Sequence, residues 1–320
     1  MTDMNYDVFN GDADGIISLH QYRTHYPKTE LPVLVTGVKR DVTLLRHITG
    51  FADTVTVFDI SLLANSEFFP GVSSRASSIT WFDHHEPGEL YEQDNFRSFI
   101  DTDPNMCTSV IVDKFLGGLY RPWAICGAYG DNLHELASSL NPNFSKNLMT
   151  GLREVGETLN YNGYGKSLED LTADPADVYR DLSKYESPFV YRKHSELFGT
   201  IRDQMYSDKA ELQSSEILYE SSVGSVVLLP DTPAATRYSG IYSNSLVTDN
   251  PDKAYAIFTS IDSDTYRVSI RSPKTNPVGA SKLALQFPTG GGRDKAAGIN
   301  ELSKITVDSF IAAFEATYIQ

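Results

Sequence analysis

The sequence predicts an α/β fold with two domains, a larger N-terminal domain built on a parallel sheet and a smaller C-terminal domain of mixed α/β structure. Short β-rich runs alternate with amphipathic stretches in the first half, and a second alternation follows a polar, proline-containing segment at 172–190. The 320 residues leave about 150 residues for each domain. We therefore predict the first domain over 1–185, a connecting segment over 186–220 and the second domain over 221–320, with a cleft between the two domains.

The strands of the first domain are predicted from short runs that are rich in β-branched and aromatic residues. These runs are 6–9, 32–36, 54–58 and 78–82. Amphipathic stretches between and after them predict helices over 13–25, 41–48, 106–118, 121–139 and about 145–160. Strands that alternate with helices indicate βαβ units, and hence a largely parallel sheet.

The second domain shows the same kinds of signal over a shorter length. A connecting helix is predicted over 193–220. The later elements are predicted strands at 225–230, 255–261 and 266–272, and predicted helices near 279–287 and 307–317. This order predicts a small mixed α/β unit.

The composition, with 41% hydrophobic and 22% charged residues, is typical of soluble globular proteins. The first residues lack the basic and apolar pattern of a secretory signal, and two cysteines provide no disulfide framework. We therefore predict a soluble, cytoplasmic protein. The net charge of −15 argues against a protein that grips long duplex nucleic acid, because that function needs a basic surface.

Acidic and imidazole side chains follow three of the predicted strands. They are Asp12 and Asp14 after the first strand, Asp59 after the third, and Asp83, His84 and His85 after the fourth. Asp131 follows an apolar helical stretch and can reach the same place. Because ligands of parallel α/β sheets bind at the carboxyl ends of the strands, we expect these side chains to converge there.

Each of these features has an ordinary explanation when it stands alone. An Asp before a helix is usually an N-cap, and an Asp at a strand end is usually a turn residue. Their recurrence at successive strand ends favours a metal site, because clustered carboxylates repel one another unless they take up protons or cations. Oxygen ligands with one imidazole suit Mn²⁺ or Mg²⁺, and two such ions about 3.5–4 Å apart can activate a water for displacement at phosphorus.

Two sets of motifs resemble those of a known family. Asp12-Ala13-Asp14, Asp59, Asp83-His84-His85 and Asp131 resemble, in this order, the four motifs of the DHH phosphoesterase superfamily. The segment 289–298, TGGGRDKAAG, resembles the GGGHxxAAG loop of the DHH-associated second domain. The superfamily includes RecJ-like exonucleases, oligoribonucleases (nanoRNases), phosphatases of 3′-phosphoadenosine 5′-phosphate, cyclic-dinucleotide phosphodiesterases and inorganic pyrophosphatases.

The resemblance implies a centre of two Mn²⁺ ions, with Mg²⁺ as the alternative. The implied metal ligands are Asp12, Asp14, Asp59, His84 and Asp131. Asp59 would bridge the two ions, and Asp83 would orient the histidines as a hydrogen-bond acceptor. His85 would face the substrate phosphate, as a hydrogen-bond donor or as a proton source for the leaving oxygen.

The chain departs from the family pattern at two positions. Val8 stands four residues before Asp12, where the family usually has a metal-binding His. The amide oxygen of the nearby Asn10 can ligate the ion or steady a bound water, but this side chain is neutral. We therefore expect the ion beside Asp12 to be held more weakly than its neighbour or to arrive with the substrate. Arg293 replaces the His of the second-domain loop, and its planar guanidinium can bind two phosphate oxygens but cannot transfer protons near neutral pH.

The second domain is expected to contact the substrate. Gly290, Gly291 and Gly292 predict a loop whose backbone amides approach an anion closely. Arg271, in the predicted strand at 266–272, resembles the family arginine that faces the cleft, although a surface position is the ordinary alternative, and Lys295 can join it.

The expected function is Mn²⁺-dependent hydrolysis of linear dinucleotides or short oligonucleotides, in the manner of nanoRNases. The alternatives are a phosphomonoesterase acting on 3′-phosphoadenosine 5′-phosphate, a cyclic-dinucleotide phosphodiesterase, a single-strand exonuclease, a pyrophosphatase or polyphosphatase, and a weakly active nucleotide-binding protein. The expected partner is the small nucleotide substrate, without duplex nucleic acid or a membrane. Base preference, cleavage direction and oligomeric state stay open.

Overall fold

The computed structural model describes residues 4–141 and 143–319. The chain divides into two compact units, Met1–Gln204 and Met205–Gln320, and the division falls within the predicted connecting segment 186–220. The first unit contains a parallel sheet and the second contains a separate mixed sheet, which confirms the predicted fold class. Among the described helices, none combines the length and the apolar character needed to cross a membrane.

The described residues of the first unit form a five-stranded sheet. Its strands are β1 (Asn5–Phe9), β2 (Val33–Val35), β3 (Ala52–Phe58), β4 (Ala76–Asp83) and β5 (Phe96–Ile100). The order across the sheet is β2-β1-β3-β4-β5, and all neighbouring pairs are parallel. β5 lies at an edge, where polar residues interrupt its apolar positions, and the sequence pattern did not predict it.

The helices of the first unit cover the sheet and follow it in the chain. They are α1 (Ala13–His25), α2 (Phe69–Ser73), α3 (Thr108–Phe115), α4 (Arg121–Gly130), α5 (His134–Ser139), α6 (Lys146–Asn162), α7 (Pro175–Leu182) and α8 (Pro188–His194). The next helix, α9 (Glu196–Glu211), crosses the division between the two units. The residues of β1, β3 and β4 alternate between two buried faces. Val8, Val57 and Trp81 lie side by side in one apolar cluster, whereas Phe58 and Phe82 stack on the other face, beneath α1.

Three helix predictions for this part of the chain need correction. The predicted helix at 41–48 is a single 3₁₀ turn, Leu44–His47. One turn is sufficient to bury its two leucines. The predicted helix at 121–139 is two helices, because Asn132 between them has a left-handed backbone with φ of 61°. The predicted connecting helix at 193–220 ends at Glu211, because the residues from Glu216 pair as a strand with the next segment of the chain.

The second unit contains a six-stranded sheet among its described residues. The strands are β6 (Glu216–Glu220), β7 (Gly224–Leu228), β8 (Ala254–Ser260), β9 (Thr265–Arg271), β10 (Gly290–Arg293) and β11 (Ala296–Ser303). The helices are α10 (Pro233–Asp249), α11 (Ala280–Ala284) and α12 (Val307–Tyr318). The order is β10-β11-β9-β8-β7-β6, with only β7 and β8 parallel. α10 joins these two strands, and the sequence pattern did not predict it because it is rich in Ser, Thr and Tyr, which are weak helix formers.

The glycine segment of the second unit is a β-hairpin rather than the predicted loop. β10 pairs with β11, and Asp294 and Lys295 form the connection between them. Gly290 is required by close packing, since a Cβ atom there would lie 1.8 Å from the carbonyl oxygen of Ala284. Gly292 has a φ of 136°, which L side chains rarely adopt. The glycines therefore shape the hairpin and its packing on α11.

Candidate metal centre

The topology of the first sheet brings the predicted site residues to one edge. The strand order reverses between β1 and β3, and ligands of parallel α/β sheets bind at the carboxyl edge beside such a reversal. β1, β3 and β4 are adjacent and parallel, so the residues that follow them lie next to one another. The structure thus gathers Asp12, Asp14, Asp59, His84, His85 and Asp131 near this edge.

Asp59 follows β3 directly and has a left-handed backbone, with φ of 57°. Such a conformation costs a non-glycine residue about 1–2 kcal/mol and is found mainly where the surroundings impose it, often at functional sites. The Asp59 N–H donates to the Phe82 carbonyl oxygen at 3.0 Å, and the Thr108 hydroxyl donates to Asp59 Oδ1 at 3.2 Å. These contacts hold the carboxylate beside the end of β4.

Asp14 lies in the first turn of α1 and is fully buried. Its Oδ2 accepts the backbone N–H of Thr108 at 2.7 Å, and its Oδ1 accepts that of Ser109 at 2.9 Å. These amides belong to the first turn of α3, where N–H groups have no partner within the helix and the helix dipole favours a negative charge. The start of α3 therefore orients the Asp14 carboxylate, a contact that the sequence did not reveal.

His84 is held by its Nδ1 atom, which lies 2.8 Å from the carbonyl oxygen of Met106. Because a carbonyl oxygen only accepts, Nδ1 carries the hydrogen and donates it. Nε2 lies on the other side of the ring, 3.4 Å from Asp59 Oδ1 and 3.4 Å from Asp131 Oδ2. A ring nitrogen bound to a backbone carbonyl, with the second nitrogen directed at carboxylates, is typical of a metal-binding histidine.

His85 and Asp83 form a pair at the more open side of the site. His85 Nδ1 lies 2.7 Å from Asp83 Oδ1 and 3.9 Å from Asp59 Oδ1. The other oxygen of the buried Asp83 has no hydrogen-bond partner among the described residues. The His85 side chain is 43% exposed, so its second nitrogen is accessible to a ligand. The geometry is compatible with the predicted roles of both residues, which stay predictions.

Asp131 caps the carboxyl end of α4, where the helix dipole disfavours a negative charge. α4 lies against α1 so closely that a Cβ atom at Gly130 would be 2.4 Å from the Cβ of Ala13. Because the helix dipole disfavours its negative charge, the carboxylate of Asp131 needs cationic partners. One oxygen faces His84, and the other lies 3.4 Å from Lys39 Nζ.

Lys39 follows β2 and enters the same edge of the sheet. Its Nζ lies 2.5 Å from Asp12 Oδ2, 2.9 Å from Asn160 Oδ1 and 3.4 Å from Asp131 Oδ1. The other oxygen of Asp12 accepts two backbone N–H groups in the first turn of α1, as an N-cap does. Both oxygens of Asp12 therefore already have donors.

The electrostatics of the cluster favour positive charge. Burial, together with the charges of Asp12 and Asp14, raises the pKa of Asp59 well above its ordinary value. Burial alone would lower the pKa of His84, but the hydrogen bond and charge of Asp59 outweigh it and raise that pKa to about 11. The pKa of Lys39 is likewise raised, because Asp12 outweighs the effect of burial. Crowded carboxylates with these properties take up protons or a cation.

The residues around His84 fit a divalent ion. Ligand atoms of Asp14, His84 and Asp131 lie within 4.8 Å of one another, and so do those of Asp59, His84 and His85. Buried carboxylates with one imidazole suit Mn²⁺ or Mg²⁺. The residues beside Asp12 do not fit a second divalent ion, because the Lys39 ammonium lies there and Val8 is part of the apolar core.

Asn10 is placed differently from one of the sequence expectations. Its Oδ1 accepts the backbone N–H of Asp12 at 3.3 Å, and its Nδ2 donates to the carbonyl oxygen of Lys39 at 3.2 Å. The amide therefore fixes the backbone on both sides of the Asp12–Lys39 pair and is not directed at an ion. The pattern of acids and imidazoles in the sequence does not reveal Lys39, although Lys39 also follows a strand of this sheet.

The second unit places two of its predicted substrate residues in one row. Ala296 of β11 lies opposite Arg293 on β10 and opposite Arg271 on β9. Residues directly opposite on neighbouring strands share a face of the sheet, so the two arginines flank Ala296 on one face. Arg271 Nε donates to Asn244 Oδ1 at 2.9 Å, whereas Arg293 and Lys295 are exposed.

Similar solved structures have the fold that the motifs imply. The exonuclease RecJ bound to manganese matches with a TM-score of 0.60 and 15% identity over 98% of this chain and 89% of that one. The DHH domain of a protein described as a member of a ribosomal-protein family matches with a TM-score of 0.57 and 13% identity, over 98% and 86% of the two chains. The pGpG-specific phosphodiesterase PggH from Vibrio cholerae matches with a TM-score of 0.56 and 12% identity, over 98% of each chain. No protein-family model and no curated protein matches the sequence. The chain thus has the DHH-type fold over nearly its whole length.

Proposed function

We propose that the protein is a divalent-metal-dependent phosphoesterase that hydrolyses linear dinucleotides or short oligonucleotides. The observation that carries this proposal is the position of His84, whose Nδ1 hydrogen is bound by a backbone carbonyl and whose Nε2 lies 3.4 Å from each of two carboxylates. The DHH-type fold supports it, because structures with this fold include the exonuclease RecJ and the phosphodiesterase PggH.

The metal ion, Mn²⁺ in this proposal, would be held by Asp14, Asp59, His84 and Asp131. A bound divalent ion polarises a phosphoryl oxygen and lowers the pKa of a water molecule. Asp14 and His84 are each oriented by backbone groups, so the chain presents these ligands without rearrangement. The manganese-bound form of RecJ supports Mn²⁺, and Mg²⁺ is the alternative to be compared with it.

His85 is the proposed proton donor to the substrate. Burial lowers its pKa, but the hydrogen bond to Asp83 and the charge of Asp59 outweigh this and raise the pKa to about 9. In the metal-free protein the imidazole is therefore protonated at neutral pH, and Asp83 holds its Nδ1. The Nε2 hydrogen is available to a phosphate oxygen or to the leaving oxygen.

The preference for a short substrate has two supports. The net charge of −15 repels long polyanions, so phosphate recognition has to be local. PggH, a pGpG-specific phosphodiesterase, matches this chain over 98% of its own length. Arg271 and Arg293 are the proposed phosphate contacts of the second unit, together with the hairpin amides near Gly291 and Gly292.

The test is hydrolysis of a substrate panel with Mn²⁺, with Mg²⁺ and with EDTA. The panel contains a linear dinucleotide, a cyclic dinucleotide, 3′-phosphoadenosine 5′-phosphate, pyrophosphate and a longer single strand. We expect Mn²⁺-dependent cleavage with the linear dinucleotide as the best substrate, and loss of that cleavage in Asp59→Asn. A preference for another member would replace the proposed substrate but keep the reaction class, whereas no metal-dependent cleavage of any member would contradict the proposal.

A second candidate is a nucleotide-binding protein without turnover. It is favoured by the Lys39 ammonium, which engages a carboxylate that the family pattern assigns to metal. Dinucleotide binding without product formation, measured by calorimetry and by chromatography of the same samples, is the expected result for this candidate. Turnover that disappears in Asp59→Asn would exclude it.

A further inference from the structure

The side-chain ammonium group of Lys39 is surrounded by acceptor groups of the protein. An ammonium group has three N–H donors, and three oxygen acceptors surround Lys39 Nζ. They are Asp12 Oδ2 at 2.5 Å, Asn160 Oδ1 at 2.9 Å and Asp131 Oδ1 at 3.4 Å. Nζ also lies 5.6 Å from the ring centroid of Tyr164, within the range of a cation–π contact. The acceptors come from the starts and ends of α1, α4 and α6, so the surroundings fix the ammonium from several sides.

The backbone of Lys39 is fixed as well. Its N–H donates to the carbonyl oxygen of Gly163 at 2.8 Å, and its carbonyl oxygen accepts from Asn10 at 3.2 Å. Asn10 in turn binds the backbone N–H of Asp12. The side chain of an exposed lysine usually stays mobile, because fixing it in one conformation costs conformational entropy. The same short network thus positions the lysine and its carboxylate partner.

The ammonium places a positive charge against the oxygen atoms that a second ion would need. Asp12 has one oxygen committed to the first turn of α1 and the other bound to Lys39. Asp131 divides its two oxygens between His84 and Lys39. A divalent ion bound to Asp12 Oδ2 would lie close to the Lys39 ammonium. The two positive charges would repel strongly, because the region is buried.

We propose that Lys39 takes the place of a second divalent ion beside Asp12, so that the protein works with a single metal ion. This inference rests on the proposed function for that ion, which lies on the His84 side of the cluster. Lys39 is a positioning residue, because its three donors are all used by protein oxygens. It supplies fixed positive charge and holds Asp131 with one oxygen turned towards His84.

The first experiment counts the ions bound by the full-length wild-type protein. Calorimetric titration of EDTA-treated protein with Mn²⁺ is expected to give one ion per chain. The electron paramagnetic resonance spectrum is expected to be that of an isolated Mn²⁺ ion, at one and at several equivalents. Two ions per chain with the spectrum of an exchange-coupled pair would overturn the inference and leave the proposed hydrolysis intact. No Mn²⁺ binding at all would overturn both.

The second experiment removes the ammonium. Lys39→Met is expected to bind a second Mn²⁺ ion and to show a coupled pair, because Asp12 and Asp131 lose their cation. Lys28→Met, a change of an exposed lysine in the same unit, is expected to keep one isolated ion. A folded Lys39→Met protein that still binds only one ion would overturn the inference.

Asp12→Asn provides an independent measurement if Lys39→Met does not fold. Asn keeps a side-chain oxygen for the N-cap of α1, so the helix start is preserved. If Asp12 binds Lys39 and not metal, the variant keeps one Mn²⁺ per chain with little change in affinity. A fall in the number of bound ions, or a loss of Mn²⁺ affinity of tenfold or more, would overturn the inference.

Discussion

The edge of the first sheet and the hairpin of the second unit carry the two sets of predicted site residues. The two sets differ in their burial and in their contacts. At the sheet edge, buried carboxylates and imidazoles contact one another, and their pKa values are displaced in consequence. On the hairpin, Arg293 is exposed and is placed by strand register alone. On the proposed function, we expect the sheet edge to determine metal binding and chemistry and the hairpin to contribute affinity. Changes at the two places should therefore affect different kinetic constants.

The largest effect is expected for Asp59→Asn. Loss of one preorganised electrostatic group costs about 100- to 1,000-fold in kcat, and removal of a metal ligand should reach the upper end, about 1,000-fold. The metal-free variant should nevertheless be more stable than wild type, because ionisation of Asp59 is disfavoured by burial and by its neighbours. Steady-state kinetics and urea unfolding in EDTA measure the two effects.

The sign of the stability change can be checked with pH. The raised pKa of Asp59 in the folded state means that its ionisation costs stability above the ordinary pKa of about 3.9. The advantage of Asp59→Asn should therefore be present at neutral pH and disappear below about pH 4. Asp94→Asn, a change of an exposed carboxylate in the same unit, is the matched control. A metal-free Asp59→Asn protein that is less stable than wild type at pH 7 would contradict the electrostatic description of the cluster.

The next effect is the stability loss expected for metal-free Lys39→Met. Removing one partner of a buried ion pair costs about 3–5 kcal/mol, and we expect the lower end, about 3 kcal/mol, because a quarter of the Lys39 side chain is exposed. Urea unfolding in EDTA measures the loss. Lys28→Met should change stability by less than about 0.5 kcal/mol. Equal values for the two variants would mean that the Asp12–Lys39 contact has no special role.

The site residues that the sequence could predict are those that local features identify. Asp59 and His84 were identifiable because the residue type and the preceding strand are both local features, and parallel topology then requires convergence. Lys39 depends on Asn160, which lies 121 residues further along the chain, and no local pattern reports such a contact. The orientation of Asp14 depends in the same way on Thr108, 94 residues away.

The elements of the fold that the sequence could predict are likewise those whose structure local residues determine. The carboxyl-terminal halves of β1, β3 and β4 are mostly buried and rich in β-branched and aromatic residues, so the parallel sheet could be predicted. α10 could not, because its sequence has weak helix propensity and packing against the sheet determines its structure. The Gly290–Gly292 segment resembles the glycine loop of the DHH-associated domain, but it forms strand β10, in which Gly290 is required by close packing against the carbonyl oxygen of Ala284.

A smaller effect is expected at the hairpin. Arg293→Ala should raise KM for the linear dinucleotide about tenfold with little change in kcat, because one exposed charge-assisted contact contributes about 1.5 kcal/mol. Mn²⁺ affinity should be unchanged. Lys274→Ala, which removes an exposed cation of the same unit, should leave both constants near their wild-type values. A large fall in kcat for Arg293→Ala, with KM unchanged, would remove the proposed division between chemistry and affinity.

The smallest effect concerns the His85–Asp83 pair and its dependence on pH. The folded-state pKa of His85 is about 9, because Asp83 and Asp59 outweigh the effect of burial, whereas the unfolded value is about 6.5. A raised pKa of a base stabilises the fold fully below pH 6.5, and this contribution is lost as the pH rises through about 9. Because 43% of the His85 side chain is exposed, solvent screening reduces the contribution to about 1 kcal/mol.

The difference in unfolding free energy between metal-free wild type and His85→Gln should therefore be about 1 kcal/mol at pH 6 and near zero at pH 10. For Arg293→Ala the difference should not change over this range, and a pH-independent difference for His85→Gln would show that the charge of His85 does not stabilise the site.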